Sequence, residues 1–144
     1  PGADVDGVLA ACSHAVAALE VVDSVWRDYV FDLEHNTADG SSAAAVVLGE
    51  ELPLDSLEDV AVTLSVDGIV VGTGRGADAA GHPAAGVAWL ADRLAEQGLS
   101  LRHGDVVITG GLTAAHAVGP GGIAEAELVH PRSGGSRVRT TREI

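Results

Sequence analysis

The sequence contains no lysine, and this absence excludes several functions at once. Its eight basic residues are all arginines, against 21 acidic residues, so the formal net charge is −13 over 144 residues. A chain without lysine cannot form a Schiff base with a carbonyl substrate or use a lysine as a general base. The strong negative charge argues against nucleic acid and against an anionic membrane surface as binding partners.

Cysteine and long apolar runs are equally scarce. Cys12 is the only cysteine, so no disulfide can form within the chain, and we expect a reducing, cytoplasmic setting. Cys12 falls in a helical apolar pattern, which favours a small buried thiol over a nucleophile. No apolar run approaches the roughly 20 residues that span a bilayer, and no signal-peptide pattern opens the chain. We therefore expect a soluble protein with no membrane partner.

Apolar spacing predicts a helix and then a strand near the start of the chain. Over residues 4–19, apolar side chains recur at the spacing of one helix face. β-Branched residues over 19–26 indicate a strand with Glu20 and Trp26 on the same face. The turn formers of "HNTADGSS" (35–42) then predict a polar loop.

Turn and helix signals in the rest of the chain predict one hairpin and one long helix. Asp67-Gly68 joins two β-rich runs between residues 60 and 74, which is the strongest short-range hairpin signal. Pro83 at a first helical position and Gly98 after the last apolar turn bound the clearest helix. Further strands are predicted from Asp105 ("DVVITGG"), from Ile123 ("IAEAELV") and in part of the tail 130–144.

These elements predict the fold class. Strands outnumber helices and do not alternate strictly with them, which favours a β-rich α+β fold over a doubly wound sheet. Hydrophobic residues make up 47% of the chain, enough for the core of one ordinary domain. We therefore predict a single domain spanning residues 1–144.

Glu20 stands inside a run of small and branched apolar residues, "AALEVVDSV". A lone ionised carboxylate in apolar surroundings is costly unless another group pairs with it. Neither flank offers a nearby cation. Glu20 therefore either faces water or holds a metal ion or a proton.

Five segments in a fixed order carry a family resemblance: "ALEVVDS", "ADGSS", "VLG", "HPAAGVAWLA" and "GDVVITGGLTAA". Together they make residues 8–128 resemble the 2-keto-4-pentenoate hydratase and 4-oxalocrotonate decarboxylase family of the fumarylacetoacetate hydrolase superfamily. The resemblance implies a mixed β-sandwich or roll with a few short helices, similar to the fumarylacetoacetase C-terminal domain. It covers only the C-terminal part of a family member, so we expect a C-terminal part of such a catalytic domain, with the N-terminal part missing.

The resemblance also implies a metal site. In the family three acidic side chains hold Mg²⁺ or Mn²⁺, and Glu20 matches one of them. The other two belong to a Glu-x-Glu pair that lies upstream of the "ALE" glutamate, and residues 1–144 do not contain it. A hard divalent cation with oxygen ligands would account for a carboxylate in an apolar wall.

Two loops are the candidate substrate site. In "ADGSS", Asp39 and Ser42 are the candidate catalytic residues and Ser41 and Ser42 the candidate substrate contacts, although turn chemistry explains Asp and Ser there equally well. His35 lies on the same loop. In "TGGLT" (109–113), small residues would let backbone N–H groups approach a ligand, although a plain β-turn also fits. The resemblance places this segment at the active site, so the predicted substrate contacts there are Gly110, Gly111 and Thr113.

The implied function is a divalent-metal-dependent lyase. It would hydrate 2-hydroxypenta-2,4-dienoate-type (2-keto-4-pentenoate) acids in aromatic or sterol ring catabolism. The alternative within the family is a 4-oxalocrotonate (2-oxo-3-hexenedioate) decarboxylase, and one from another class is a truncated noncatalytic relative or half of a split enzyme. The expected partner is a small unsaturated 2-oxo or 2-hydroxy acid, and the family suggests a homo-oligomer.

Overall fold

Six strands and three α-helices alternate irregularly along residues 2–143, which are the residues that the computed structural model describes. Single turns of 3-10 helix lie at Arg27–Tyr29, Leu57–Asp59 and Gly76–Asp78. The order is α1 (Val5–Ala11), β1 (Ala15–Val22), α2 (Leu33–Ala38), β2 (Ala43–Leu52), β3 (Ala61–Val66), β4 (Ile69–Arg75), α3 (Pro83–Glu96), β5 (Ile123–His130) and β6 (Gly134–Thr141). The predicted strand-rich α+β class with a few short helices is confirmed.

The predicted hairpin is present and forms one half of the larger sheet. Val66 pairs with Ile69 across Asp67 (φ 51°) and Gly68 (φ 77°), and two left-handed residues are what a tight two-residue turn of this kind requires. The Asp67 carboxylate also accepts a hydrogen bond from the backbone N–H of Ile123 at 2.8 Å. This bond ties the hairpin to the start of β5, and the sheet order is β4-β3-β5-β6, all antiparallel.

The four-stranded sheet is amphipathic. Registered pairs such as Val62 with Leu128 and Ala126 with Val138 put apolar side chains on one face. The opposite face is polar, and there Arg137 forms an ion pair with Glu127 at 2.9 Å. Because alternate residues of a strand point to opposite faces, this pattern sets which side of the sheet builds the interior.

The second sheet, β1 with β2, packs against β6 at a glycine. A Cβ atom at Gly49 would overlap the side chain of Val138 and lie 3.3 Å from the carbonyl oxygen of Arg137. Glycine therefore allows β2 to pass close to β6, and Ala17 of β1 is fully buried beside this contact. The main core lies between the sheets and contains Ala17, Leu52, Leu57, Val60, Val62, Ala126, Leu128 and Val138.

His130 is the most deeply buried large side chain, only 1% exposed. Its Nε2 bonds to the carbonyl oxygen of Asp55 at 2.6 Å, and its Nδ1 accepts from the backbone N–H groups of Arg132 (3.1 Å) and Ser133 (3.3 Å). Both ring nitrogens are therefore satisfied by backbone, as burial of a polar side chain requires. The arrangement uses a neutral ring with the proton on Nε2, a structural role at the β5–β6 turn.

Helix α3 begins and ends where the sequence predicts. Pro83 is its first residue, and the side chain of His82 caps it, because Nδ1 accepts from the backbone N–H of Ala84 at 3.0 Å. The Nε2 atom of His82 lies 3.4 Å from a carboxylate oxygen of Glu58. Asp92 of α3 accepts from the backbone N–H of Ala3 (3.1 Å), and this bond is the main reason that the pKa of Asp92 lies below its ordinary value.

Replacing the cap of α3 gives a test of this interpretation. We expect His82→Ala to lower the free energy of unfolding by about 1 kcal/mol, because the N–H of Ala84 loses its acceptor. His82→Asn should retain most of the stability, since asparagine is a good N-cap. Thermal unfolding followed by circular dichroism measures both, and equal losses for the two variants would contradict a capping role.

The boundaries predicted for the first helix and the first strand are wrong. The helix predicted over residues 4–19 ends at Ala11, and β1 begins at Ala15, so the strand predicted over 19–26 starts and ends four residues early. Ala15 pairs with Leu52 of β2, and this long-range pairing decides the conformation of a run whose spacing also suits a helix. Trp26 lies outside the strand and does not share a sheet face with Glu20.

Three further expectations are wrong. The loop predicted at 35–42 is helical up to Ala38, because Asp32 caps α2 by accepting from the N–H of His35 at 2.8 Å. The "DVVITGG" segment lies in the stretch 99–122, which contains no helix or strand. Cys12 is exposed where a buried thiol was predicted, because α1 has already ended at Ala11. In the described residues, no helix is both long and apolar enough to cross a bilayer.

Candidate functional site

A cavity of about 2050 Å³ lies along the apolar face of the four-stranded sheet. Its other walls are β1, α1, α3 and the irregular residues 99–118, which we call the 99–118 segment. Pockets for small ligands usually measure about 300–1,000 Å³. The cavity is therefore at least twice the size that a small organic acid needs.

Glu20 lies on one wall of this cavity. It pairs with Val46 in the β1–β2 sheet, and the neighbouring pair on the same face is Ala18 with Leu48. The carboxylate is thus surrounded on its own sheet face by apolar side chains, as the sequence indicated. It is exposed toward the cavity and not buried in the protein interior.

The 99–118 segment reaches the cavity by crossing two glycines of β4, Gly72 and Gly74. A Cβ atom at Gly74 would overlap the carbonyl oxygen of Leu112, and one at Gly72 would lie 3.2 Å from the Cβ of Thr113. The first two glycines of the motif "GTGRG" (72–76) therefore provide room for the crossing segment, and its last glycine provides room for the backbone of Leu57. The motif does not form a nucleotide loop. This crossing places Gly110, Gly111 and Thr113 on the same cavity as Glu20.

The "ADGSS" loop is a tightly bonded turn outside the cavity lining. Oδ2 of Asp39 accepts hydrogen bonds from the Ser24 hydroxyl (3.0 Å) and the backbone N–H of Val25 (3.4 Å). The hydroxyl of Ser42 donates to Oδ1 of Asn36 at 3.2 Å, and Ser42 is buried. In this structure, Asp39 and Ser42 hold the β1–β2 connection together.

Backbone conformation explains the glycine of this loop but not its two serines. Gly40, Ser41 and Ser42 have φ values of 67°, 59° and 60°, three consecutive residues in the left-handed region. Glycine adopts this region freely, whereas each serine pays about 1 kcal/mol or more to do so. The turn brings the carbonyl oxygen of Ser42 to 2.9 Å from the backbone nitrogen of Asp23, which closes the loop at its base.

The predicted site residues thus form two groups. The cavity brings together Glu20, Gly110, Gly111 and Thr113, while Asp39, Ser41 and Ser42 lie in the adjoining turn and do not line it. The metal-binding role of Glu20 and the catalytic and substrate-binding roles of the other six residues stay predictions. His35 also lies outside the lining: its Nδ1 is 2.7 Å from Oδ1 of Asp32, and its ring is tilted by 58° to that of Trp26, with the ring centroids 4.6 Å apart.

Tyr29 and His116 are two polar side chains of the cavity that were not predicted as site residues. The hydroxyl of Tyr29 donates to the carbonyl oxygen of Val22 at 3.3 Å, next to the end of β1. His116 lies beside Gly72 and Thr113, 3.8 Å from where a Cβ at Gly72 would be. A signal for His116 was present, since it follows Thr113 by three residues in a stretch already suspected of binding substrate.

The donors present do not complete a metal site. Magnesium ions take several oxygen ligands in near-octahedral geometry. Within residues 2–143, no group of three histidine, cysteine, aspartate or glutamate side chains is placed to hold a metal ion. Glu20 has the right chemistry for one ligand, and the remaining ligands would have to come from other residues.

The bonds of Asp39 yield a prediction about the turn. We expect Asp39→Ala to lower the free energy of unfolding by about 1 kcal/mol, because Ser24 and Val25 lose their shared acceptor. Urea denaturation followed by Trp26 fluorescence, in a Trp89→Phe background, measures the change at the turn itself. Asp39→Asn keeps an acceptor oxygen and should lose less than Asp39→Ala. Unchanged stability of Asp39→Ala would contradict a structural role for the carboxylate.

The fold and the cavity agree with one protein family. The profile of the family described as Fumarylacetoacetate (FAA) hydrolase C-terminal matches residues 4–141. The chain therefore belongs to this family.

Within this family, the chain is similar to curated hydratases and decarboxylases. The 2-keto-4-pentenoate hydratase of Burkholderia vietnamiensis is 42% identical over 126 residues, and the 4-oxalocrotonate decarboxylase of Pseudomonas putida is 39% identical over 126 residues. Each alignment covers 84% of this chain and 47% of the relative. The resemblance predicted from the sequence motifs is confirmed, and the chain spans about half the length of these relatives.

Two solved structures of one enzyme match the fold of this chain. The 4-oxalocrotonate decarboxylase from Pseudomonas putida G7, complexed with magnesium and adipate, matches with a TM-score of 0.89 and 34% identity. The match covers 100% of this chain and 54% of that chain. The same enzyme complexed with calcium and acetate matches with a TM-score of 0.86.

Proposed function

We propose that the protein to which this chain belongs is a divalent-metal-dependent lyase that hydrates 2-hydroxypenta-2,4-dienoate-type (2-keto-4-pentenoate) acids, in aromatic or sterol ring catabolism. The observation that carries the proposal is the position of Glu20, a carboxylate in an apolar wall that shares one cavity with Gly110, Gly111 and Thr113. Membership of the family and the hydratase relative at 42% identity support it.

Each group of residues has a defined part in this proposal. Glu20 contributes one oxygen ligand to Mg²⁺ or Mn²⁺, and the bound metal supplies an electrophile for a 2-oxo acid group. The backbone N–H groups of Gly110 and Gly111 and the hydroxyl of Thr113 orient the substrate carboxylate. Asp39, Ser41 and Ser42 act from the adjoining turn, as proton-transfer or substrate-contacting groups when the remaining part of the enzyme is in place.

A 4-oxalocrotonate decarboxylase is the second candidate. The solved relative that matches with a TM-score of 0.89 is a decarboxylase complexed with adipate, a dicarboxylic acid. A dicarboxylate substrate of similar length would fit the same cavity and would lose CO₂ where the hydratase substrate gains water. A candidate of another class is a noncatalytic relative or half of a split enzyme. It is favoured because the described residues include no group of three side chains placed to hold a metal ion.

An ultraviolet assay with the complete protein tests the proposal. We expect loss of 2-hydroxypenta-2,4-dienoate absorbance with Mg²⁺ or Mn²⁺, and no turnover after EDTA treatment. Release of CO₂ from 2-oxo-3-hexenedioate under the same conditions would favour the decarboxylase. Turnover that persists in EDTA would overturn both metal-dependent proposals, and inactivity of the complete protein with both acids would favour the noncatalytic alternative.

A further inference from the structure

The single tyrosine of the chain, Tyr29, lines the same cavity as Glu20. Its hydroxyl donates to the carbonyl oxygen of Val22, the last residue of β1. Val22 follows Glu20 by two residues, and two residues of a strand span about 7 Å. The phenol and the carboxylate are therefore close enough for one small organic acid to reach both.

The turn that carries Tyr29 has an unusual backbone conformation. Asp28 (φ 57°, ψ 24°) and Tyr29 (φ 55°) are two successive left-handed residues, and neither is a glycine. This region is unfavourable for a bulky side chain, and residues held in it cluster at active sites and ligand clamps. The turn brings the Tyr29 hydroxyl back to the end of β1 and leaves the residue 51% exposed.

The hydrogen bond to Val22 is one that a ligand can displace. It is 3.3 Å long, whereas O–H···O bonds usually measure about 2.7–2.8 Å, so the hydroxyl loses little when it turns to a better acceptor. Glu20 and Asp23 also line the cavity at this end of β1, and an ionised carboxylate has no proton to donate. Tyr29 therefore supplies the donor that an oxygen-rich ligand needs here.

The proposed function indicates which ligand oxygen accepts this bond. There, Gly110, Gly111 and Thr113 orient the substrate carboxylate, so the remaining oxygen of a 2-oxo or 2-hydroxy acid is the one on C-2. We propose that Tyr29 is a specificity-determining residue, whose hydroxyl leaves Val22 and donates to this C-2 oxygen. The inference rests on the proposed function, because that function names the acid.

Binding of two acids to the complete protein tests the inference. The probes are 2-oxopentanoate and pentanoate, which differ only in the oxygen on C-2, and both are titrated by calorimetry in the presence of Mg²⁺. We expect Tyr29→Phe to weaken the binding of 2-oxopentanoate about five- to tenfold and that of pentanoate less than about twofold, because only 2-oxopentanoate offers the acceptor. Equal losses for the two acids, or no loss, would overturn the inference.

Asp28→Gly is the matched control. Glycine adopts the φ value of 57° freely, so this variant relieves strain in the turn and keeps the phenol. Its affinity for 2-oxopentanoate should stay within about twofold of that of the unmodified protein. A loss as large as that of Tyr29→Phe would assign the effect to the shape of the turn and would remove the hydroxyl from the site.

Kinetics separate this inference from the proposed function. Tyr29→Phe should raise KM for 2-hydroxypenta-2,4-dienoate about five- to tenfold and leave kcat within about twofold, since the bond is present in both the bound substrate and the transition state. Turnover with an unchanged KM would overturn the inference alone. No turnover, together with the selective loss of 2-oxopentanoate binding, would overturn the proposed lyase alone. Failure of the unmodified protein to bind 2-oxopentanoate would overturn both.

Discussion

Replacing Glu20 with glutamine should lower kcat/KM of the complete protein at least about a hundredfold, the largest effect that we expect from any single substitution. Glutamine has nearly the same shape but carries no negative charge, so it is a weaker ligand than glutamate for a hard divalent cation. The side chain lies on an exposed sheet face, and the fold of residues 1–144 should be unaffected. Calorimetric titration with Mg²⁺ and the absorbance assay together measure the loss.

Glu125 provides the control for this variant. It is also a strand glutamate, on β5, but its side chain lies on the polar face of the four-stranded sheet, opposite the cavity. Glu125→Gln changes the net charge by the same amount and should leave kcat/KM and Mg²⁺ affinity within about twofold of the unmodified protein. Full activity of Glu20→Gln with unchanged Mg²⁺ affinity would remove Glu20 from the metal site.

Gly74→Ala should lower the free energy of unfolding by about 2–3 kcal/mol, a second large effect. A Cβ at this position overlaps the carbonyl oxygen of Leu112, and backbone cannot yield as the end of a flexible side chain can. The crossing of the 99–118 segment must therefore shift, and Thr113 moves with it. Urea denaturation measures the stability, and faster hydrogen exchange over residues 110–116 would locate the shift.

Gly86→Ala is the matched control and should change the free energy of unfolding in the opposite direction. Gly86 lies inside α3, and a Cβ there meets no atom within 4 Å. Alanine should raise the free energy of unfolding by about 0.5–1 kcal/mol, because it favours the helix and restricts the unfolded chain. If both alanine variants changed stability in the same direction and by the same amount, steric overlap at Gly74 would not be the cause.

Local signals in the sequence were sufficient wherever a few neighbouring residues decide the conformation. The Asp67-Gly68 turn requires two left-handed residues, and both are suited to that conformation. Pro83 begins α3 as predicted. Proline has no N–H, and the N–H groups of the first helical turn have no acceptor within the helix, so no hydrogen bond is lost at this position. Strand β5 also begins at Ile123 as predicted.

The sequence did not predict the conformation correctly where contacts with a distant strand determine it. Residues 15–22 are almost all apolar, so a helical and an extended pattern fit them equally well, and pairing with β2 selects the strand. Val106 and Ile108 favour a strand by type, yet the 99–118 segment is irregular as it crosses the glycines of β4. Neither outcome can be derived from the residues concerned alone.

The sequence by itself determined the strand-rich class, the hairpin, the capped helix and the family, because each depends on the order and local preferences of residues. It also identified Glu20, from the apolar residues on both sides of it, as a carboxylate that either faces water or holds a metal ion or a proton. Tertiary structure alone decided that Glu20 and Thr113 share one cavity while Asp39 and Ser42 lie in the adjoining turn. The physical reason is that these positions depend on where β2 and β4 bring distant segments together, which no local pattern records.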